Sequence, residues 1–389
     1  MGVLAAVLLA GCAIDRPALT PPELESKRTE YVRYAVTETE EGNQKVIRRM
    51  KRERDEFAAG ESKRPPVYDI LVLSGGGDYG AFGAGFLKGW GTMPDGTMAR
   101  PEFDMVTGVS TGALIAPFAF IGDDLSYDKI LDLYTHPKKD WVTLRDVFFF
   151  LPGRTSFMST AGLEKELKEQ FNDDVIRQVA ACSKQDRVLG INATNLDLGA
   201  MHPFEVSREA QHAVETGDYE RVRKIIMASA AIPAAFPPVE IDGSLYVDGG
   251  TTSNILYGSN WRSPRAPIAM YKAAYPGSTL PKIRFWVIVN NQLGIGPQIV
   301  QPTWVSITKA SLATAIRSST VIAMRHLYTQ VQLLRDADGV DVEFRYVSIP
   351  ESWRAPAQGD FNPKTMQSLA DVGMQMGADP ASWRSDFSK

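Results

Sequence analysis

Cysteine and histidine are scarce in this chain, with two of the first and four of the second among 389 residues. Two cysteines cannot build a disulfide scaffold or a cysteine-rich zinc site. The histidines show neither His-x-x-His nor His-Glu-x-x-His spacing, so no zinc signature is present, and no carboxylate cluster has calcium-loop spacing. Positive charge is not in excess. Lys plus Arg number 42 against 46 Asp plus Glu, a net charge of −4, which gives no bulk attraction for nucleic acid. Repeats at solenoid or propeller periods are missing, and so are strands of alternating character that would suggest a barrel channel. The 32 glycines and 24 prolines are dispersed, which excludes collagen-like and low-complexity chains. What is there is an ordinary globular composition, 44% hydrophobic and 23% charged. Such a chain is long enough to bury a catalytic site, and an α/β fold of this size often forms one domain.

Residues Met1 to Ala10 are almost wholly apolar and are followed by Gly11-Cys12. A run this short cannot span a hydrocarbon core, which needs about 20 helical residues. It suits the apolar region of a signal peptide. Leu9-Ala10-Gly11-Cys12 resembles the lipobox of bacterial lipoproteins. That resemblance implies residues 1–12 as a lipoprotein signal, Cys12 as the acylated residue, and membrane anchoring in the bacterial cell envelope. Ala13 rather than Asp after the cysteine implies the outer membrane, facing the periplasm. A buried N-terminal helix is the competing reading. With Cys12 lipidated, Cys182 has no intramolecular partner. Residues 13–66 are polar, with proline pairs at 21–22 and 65–66, and read as a polar tether plus one helix. The basic run Lys45 to Arg52 reads as a solvated helix face, with a headgroup-binding patch as the alternative.

Beyond Pro66 the pattern changes. Val67 to Leu73 predicts a buried strand ending in Ser74-Gly75-Gly76-Gly77, and Ala81 to Trp90 has helical spacing. A second strand, Phe103 to Thr107, precedes Gly108-Val109-Ser110-Thr111-Gly112 and an apolar helix to Phe120. Further strands are expected at 188–194, 245–247, 283–290 and 342–349, with a long helix over about Trp304 to Arg335. Residues 123–190 read as mostly helical or irregular. Strands alternating with helices imply an α/β sheet covered on both faces, here as one domain over residues 67–389.

Gly-x-Ser-x-Gly at 108–112, set between a strand and a helix, forces a tight turn that lifts the Ser110 hydroxyl above the sheet. The helix that follows points its first amides toward a developing anion. The glycines of Gly75-Gly76-Gly77-Asp78-Tyr79-Gly80 expose successive amides that can donate to a phosphate or to an oxyanion. No ribose-binding acid or P-loop Gly-Lys-Ser/Thr accompanies them, which argues against a nucleotide. The third signal, Tyr246-Val247-Asp248-Gly249-Gly250, is on its own merely a turn dipeptide at a strand end.

In order, these motifs resemble the patatin-like phospholipases. Ala228-Ser229-Ala230-Ala231-Ile232-Pro233-Ala234-Ala235-Phe236-Pro237-Pro238 matches a fourth block of that family, and the resemblance covers about Tyr68 to Gly250. It implies a three-layer α/β/α sandwich with a central, mostly parallel sheet. It implies a serine acyl hydrolase of the phospholipase or lysophospholipase type acting on membrane lipid, without metal or cofactor. By the same likeness Ser110 is the nucleophile and Asp248 its partner in a Ser-Asp dyad. Gly75, Gly76, Gly77 and Gly80 form the oxyanion loop, and Gly108 and Gly112 flank the elbow. The family usually carries Arg or Lys where this chain has Tyr79.

A serine hydroxyl needs a base to take its proton, and a free aspartate near pH 3.9 is too acidic for that task. Burial against an acyl chain would raise it. The competing enzyme is a Ser-His-Asp esterase, whose chain order His326 satisfies, although a helical pattern surrounds that histidine. A membrane-tethered scaffold with a decayed hydrolase site is the non-enzymatic alternative. Intact Ser110, Asp248 and loop glycines oppose it.

Overall fold

Alternation of strand and helix along the chain fixes the architecture. The computed structural model describes residues 19–388 apart from 139–140, 142, 145–155, 157, 259, 295 and 298. The lipobox and Cys12 lie outside the described residues. The chain opens with α1 (Pro21–Ala58), β1 (Val67–Leu73), α2 (Gly80–Trp90), β2 (Met105–Val109), α3 (Thr111–Ile121) and α4 (Asp124–Thr135). Two short strands, β3 (Thr143–Leu144) and β4 (Met158–Ser159), precede α5 (Ala161–Gln170), α6 (Asp173–Ser183) and β5 (Val188–Asn195). Next come β6 (Ala200–Glu205), α7 (Val206–Thr216), α8 (Glu220–Ser229), β7 (Val239–Ile241) and β8 (Ser244–Asp248). The remainder is α9 (Pro267–Ala274), β9 (Lys282–Val289), α10 (Trp304–Asp336), β10 (Val342–Ser348) and α11 (Pro363–Gly377).

The central sheet has the order β10-β9-β1-β2-β5-β8-β7, with β6 also paired to β5. Pairings from β10 to β5 are parallel, and those of β5 with β6 and β8, and of β7 with β8, are antiparallel. Both faces are covered, as the residues of β1 make plain. Leu71 and Leu73 enter one apolar core with Phe86, Ile115 and Leu369, whereas Tyr68, Ile70 and Val72 enter a second with Met50, Tyr271 and Leu327. The period of two sends alternate side chains to opposite helix layers, and a strand buried on both faces reads as an apolar run. The result is a three-layer α/β/α fold.

Within the segment read as polar tether plus one helix, Pro21–Ala58 form a single helix, α1. α1 starts where Thr20 precedes Pro21, whose fixed φ suits the first helical position, and where the Thr20 amide donates to Glu23 at 2.7 Å. It buries Val46, Ile47 and Met50 in the second core. Its basic run is half solvated, with Arg48 exposed, and most of its cations are paired with acids of the folded chain. Arg49 donates to Asp104 at 2.8 Å, Arg48 and Arg52 pair with Asp186, and Lys45 pairs with Glu205. Acids scattered through the later sequence meet these cations only once the chain has folded. Among the described residues, no helix is long and apolar enough to cross a membrane.

Candidate active site

Ser110 sits between β2 and α3 with φ 54° and ψ −122°. A non-glycine residue in that region is strained, and such strain persists only where the surroundings hold it. Two things hold it here. The Ser110 amide donates to Ser229 Oγ at 2.9 Å, and that hydroxyl donates to the Asn192 carbonyl at 2.6 Å. The flanking glycines permit the close approach: a Cβ on Gly108 would lie 2.3 Å from the Gly112 carbonyl, and one on Gly112 would lie 2.4 Å from the Leu73 carbonyl. The strand extends two residues further than expected, because Gly108 and Val109 continue the ladder with Ile191 and Asn192. The turn therefore begins at the serine itself.

Sheet register brings Asp248 to the same level. β5 lies between β2 and β8; Val109 pairs with Asn192 on one side, and Asp248 pairs with Ala193 on the other. One residue of β5 thus separates the strand end that precedes Ser110 from the carboxylate. Asp248 is only 2% exposed. Burial pushes its carboxyl up to about 6, while hydrogen bonding from the Ser110 hydroxyl and the Gly250 amide pulls it back down. The Gly250 amide donates to Oδ1 at 2.7 Å, which fixes the carboxylate orientation.

The loop glycines divide into two kinds. Gly75 lies against the nucleophile, since a Cβ there would come within 3.0 Å of Ser110 Cβ, but its amide donates to the Asn254 carbonyl at 3.3 Å. The Gly80 amide donates to the Gly77 and Asp78 carbonyls, and the residue itself makes room for Thr111 and Tyr134. Neither amide is free for an oxyanion. Gly76 and Gly77 are different: among the described residues no acceptor takes their amides. Gly77 has φ +60°, a region that favours glycine, and Gly76 packs so closely that a Cβ would lie 1.9 Å from the Asn290 carbonyl.

Four supporting residues gave no signal of a site role in the sequence. Ser229 lies in a motif block, but its brace on Ser110 depends on the fold. Asn290 is fully buried; its amide nitrogens donate to Ser74, one to Oγ and one to the carbonyl, each at 2.8 Å, and so fix the end of β1. Asn254 Nδ2 donates to Thr320 Oγ1 at 2.8 Å, linking the loop to α10. Arg317 of α10 stands near Tyr79, the residue that departs from the family's usual Arg or Lys, and Tyr79 meets Trp353 edge-on with ring centroids 5.5 Å apart. Asp78 accepts from the Phe361 amide at 3.1 Å, and its carboxyl is pushed up to about 6 by burial and by Asp360.

His326 is elsewhere. Its ring bonds Tyr257 and Gln330, not Ser110 or Asp248. His202 is buried against Tyr246, and His136 pairs with Asp132. Among the described residues, no group of His, Cys, Asp and Glu could hold a metal ion.

Residues 71–259 match the family model for patatin-like phospholipase. A cGAMP-activated phospholipase of Pseudomonas aeruginosa is 27% identical over 198 residues, which is 49% of this chain and 54% of that protein. An uncharacterised protein of Acanthamoeba polyphaga mimivirus is 28% identical over 187 residues, 47% of this chain and 58% of its own. The chain thus spans little more than half the length of these relatives. Among solved structures, VipD of Legionella pneumophila aligns over 82% of this chain and 68% of that one, at 11% identity and a TM-score of 0.39.

Proposed function

We propose, for a chain whose residues 71–259 are a patatin-like phospholipase domain, that it is a serine acyl hydrolase cleaving lipid acyl esters through Ser110 and Asp248. The observation that carries this reading is the pairing of a strained, braced Ser110 with a buried Asp248 that it hydrogen-bonds. Attack by Ser110 Oγ on an ester carbonyl passes the hydroxyl proton to Asp248. The carbonyl oxygen becomes an oxyanion that the Gly76 and Gly77 amides would meet. Collapse then releases the alcohol, protonated by Asp248, and leaves an acyl-serine. Water, deprotonated by the same carboxylate, attacks the acyl-serine; the fatty acid leaves and Asp248 returns the proton to Ser110 Oγ. The Ser-His-Asp alternative lacks support, because His326 is occupied by Tyr257 and Gln330. A fluorophosphonate probe should label Ser110. Lipid analysis of membranes incubated with wild type or Ser110→Ala should identify the lipid lost and the fatty acid released.

The oxyanion assignment has its own test. Gly77→Val should lower turnover by about 10²–10³, with a smaller effect on KM, because the loop must leave its positive φ and swing an amide away from the oxyanion. Space for the side chain exists, since nothing lies within 4 Å of a Cβ at that position. A normal rate per folded molecule, with only a lowered melting temperature, would reduce Gly77 to a turn residue.

The same reading places the enzyme beside its substrate. Acylation of Cys12 would hold the protein on the periplasmic face of the outer membrane, and more than one chain is needed for stable anchoring. Cys12→Ser should move the protein from the detergent phase to the soluble fraction with hydrolysis of a soluble ester unchanged. Recovery of an unmodified N-terminus from cells able to process lipoproteins would remove the anchor.

A further inference from the structure

From Gln292 to Arg335 the chain contains no aspartate or glutamate, and Lys309, Arg317, Arg325 and Arg335 are its only charged residues. Most of this stretch is α10. The helix has 33 residues, about 50 Å at the α-helical rise, whereas the eight residues of β9 span about 26 Å. The surplus lies at the N-terminal end. Every buried residue of α10 is at or beyond Thr320. At Arg317 the helix passes near Tyr79, and at Thr320 it meets Asn254, which supports the oxyanion loop. Its first four turns therefore reach beyond the oxyanion loop and bury no residue.

Those turns are apolar. Ile299 is 92% exposed, Trp304 55% and Ile307 50%, and Val300 and Val305 are exposed beside them. Single exposed aliphatics are ordinary, but a contiguous group marks a surface that something covers. Lys309 is neutralised by Asp360, so Arg317 is the cation of this half that no carboxylate among the described residues pairs, and a second copy would offer it like charge rather than its complement. An anionic lipid surface has the complementary charge and an apolar layer below it. Lys309 is held by Asp360 at the edge of the patch, at 2.6 Å.

We propose that the N-terminal half of α10 and the loop before it dock on an anionic bilayer surface, with Ile299, Trp304 and Ile307 entering the headgroup boundary. Docking there brings the Ser110 site close to lipid at its source. The inference takes its lipid substrate from the function proposed above, yet binding is measured without catalysis.

The test uses full-length protein with Cys12→Ser in every arm, so that no acyl chain dominates. Flotation with vesicles of phosphatidylcholine plus phosphatidylglycerol should exceed flotation with phosphatidylcholine alone. Combining Ile299→Ser, Trp304→Ser and Ile307→Ser should weaken it at least about tenfold, given the apolar area withdrawn. Brominated lipid should quench the tryptophan emission of the parent more than that of Trp304→Phe. Hydrolysis of a soluble short-chain ester by the triple variant should match the parent, because the substituted side chains are exposed. If the parent lacks that hydrolysis but floats as expected, the catalytic reading fails and docking stands. If the ester is cleaved and the triple variant floats like its parent, docking fails. A parent dimer lost in the triple variant, with flotation unchanged, would assign the face to a second copy and overturn the proposal.

Discussion

Ser110→Ala is expected to lower acyl-ester turnover by on the order of 10⁶, the scale seen when the nucleophile of a serine hydrolase is removed. The size follows from what is lost. Only Oγ disappears, and the neighbouring hydroxyls are committed elsewhere: Ser229 to the Ser110 amide and the Asn192 carbonyl, and Thr111 to Tyr134. The backbone should not relax, because that amide contact and the packing of Gly108 and Gly112 do not involve Oγ. Melting temperature should therefore stay close to wild type while fluorophosphonate labelling vanishes. His326→Ala provides the control. That residue is bonded to Tyr257 and Gln330, so its loss should leave turnover within about twofold. Activity surviving Ser110→Ala would reject the nucleophile. A folded His326→Ala enzyme without activity would favour the triad.

Local geometry made the serine turn and the glycine loop legible, whereas Asp248 and its pairing with Ser110 came from the resemblance to patatin-like phospholipases. Gly-x-Ser-x-Gly and the glycine run each stand between a strand and a helix, so the turn chemistry and the apolar runs around it point to the same places. β1 matches its apolar run residue for residue, Val67–Leu73. The elements with weak patterns were not legible: β7 has only three residues, and β6 carries Pro203 within a partly exposed strand. The braces were hidden for another reason. Ser229 reaches Ser110 across 119 positions, and Asn254 reaches Thr320 across 66. Single polar residues have no periodicity, so only folding reveals what they hold. The basic run of α1 shows the same limit, since its charge was visible but not the acids that receive it, Asp104 just before β2, Glu205 of β6 and Asp186 in the turn before β5.

Asp248→Asn should separate activity from stability, moving them in opposite directions. The amide keeps an oxygen for the Gly250 N–H but cannot accept the serine proton, so turnover should fall by about 10²–10⁴. Wild-type kcat/KM should in turn fall as pH drops through about 6, the value to which burial raises this carboxyl, because the protonated acid is no base. Stability follows the opposite sign. A carboxyl whose folded pKa exceeds its unfolded value binds its proton more tightly when folded. The resulting stabilisation is complete below about pH 3.9 and is lost as pH rises through about 6. Above pH 7 the wild type therefore holds a buried charge at a disadvantage of up to about 3 kcal/mol, which the neutral amide does not carry. Asp248→Asn should accordingly melt higher than wild type at pH 8, with the advantage shrinking toward pH 4. A variant that melts lower at every pH would mean that the carboxylate is a net structural asset rather than a strained catalytic group. Wild-type turnover by the variant, or a rate that stays flat through pH 6, would remove Asp248 as the base.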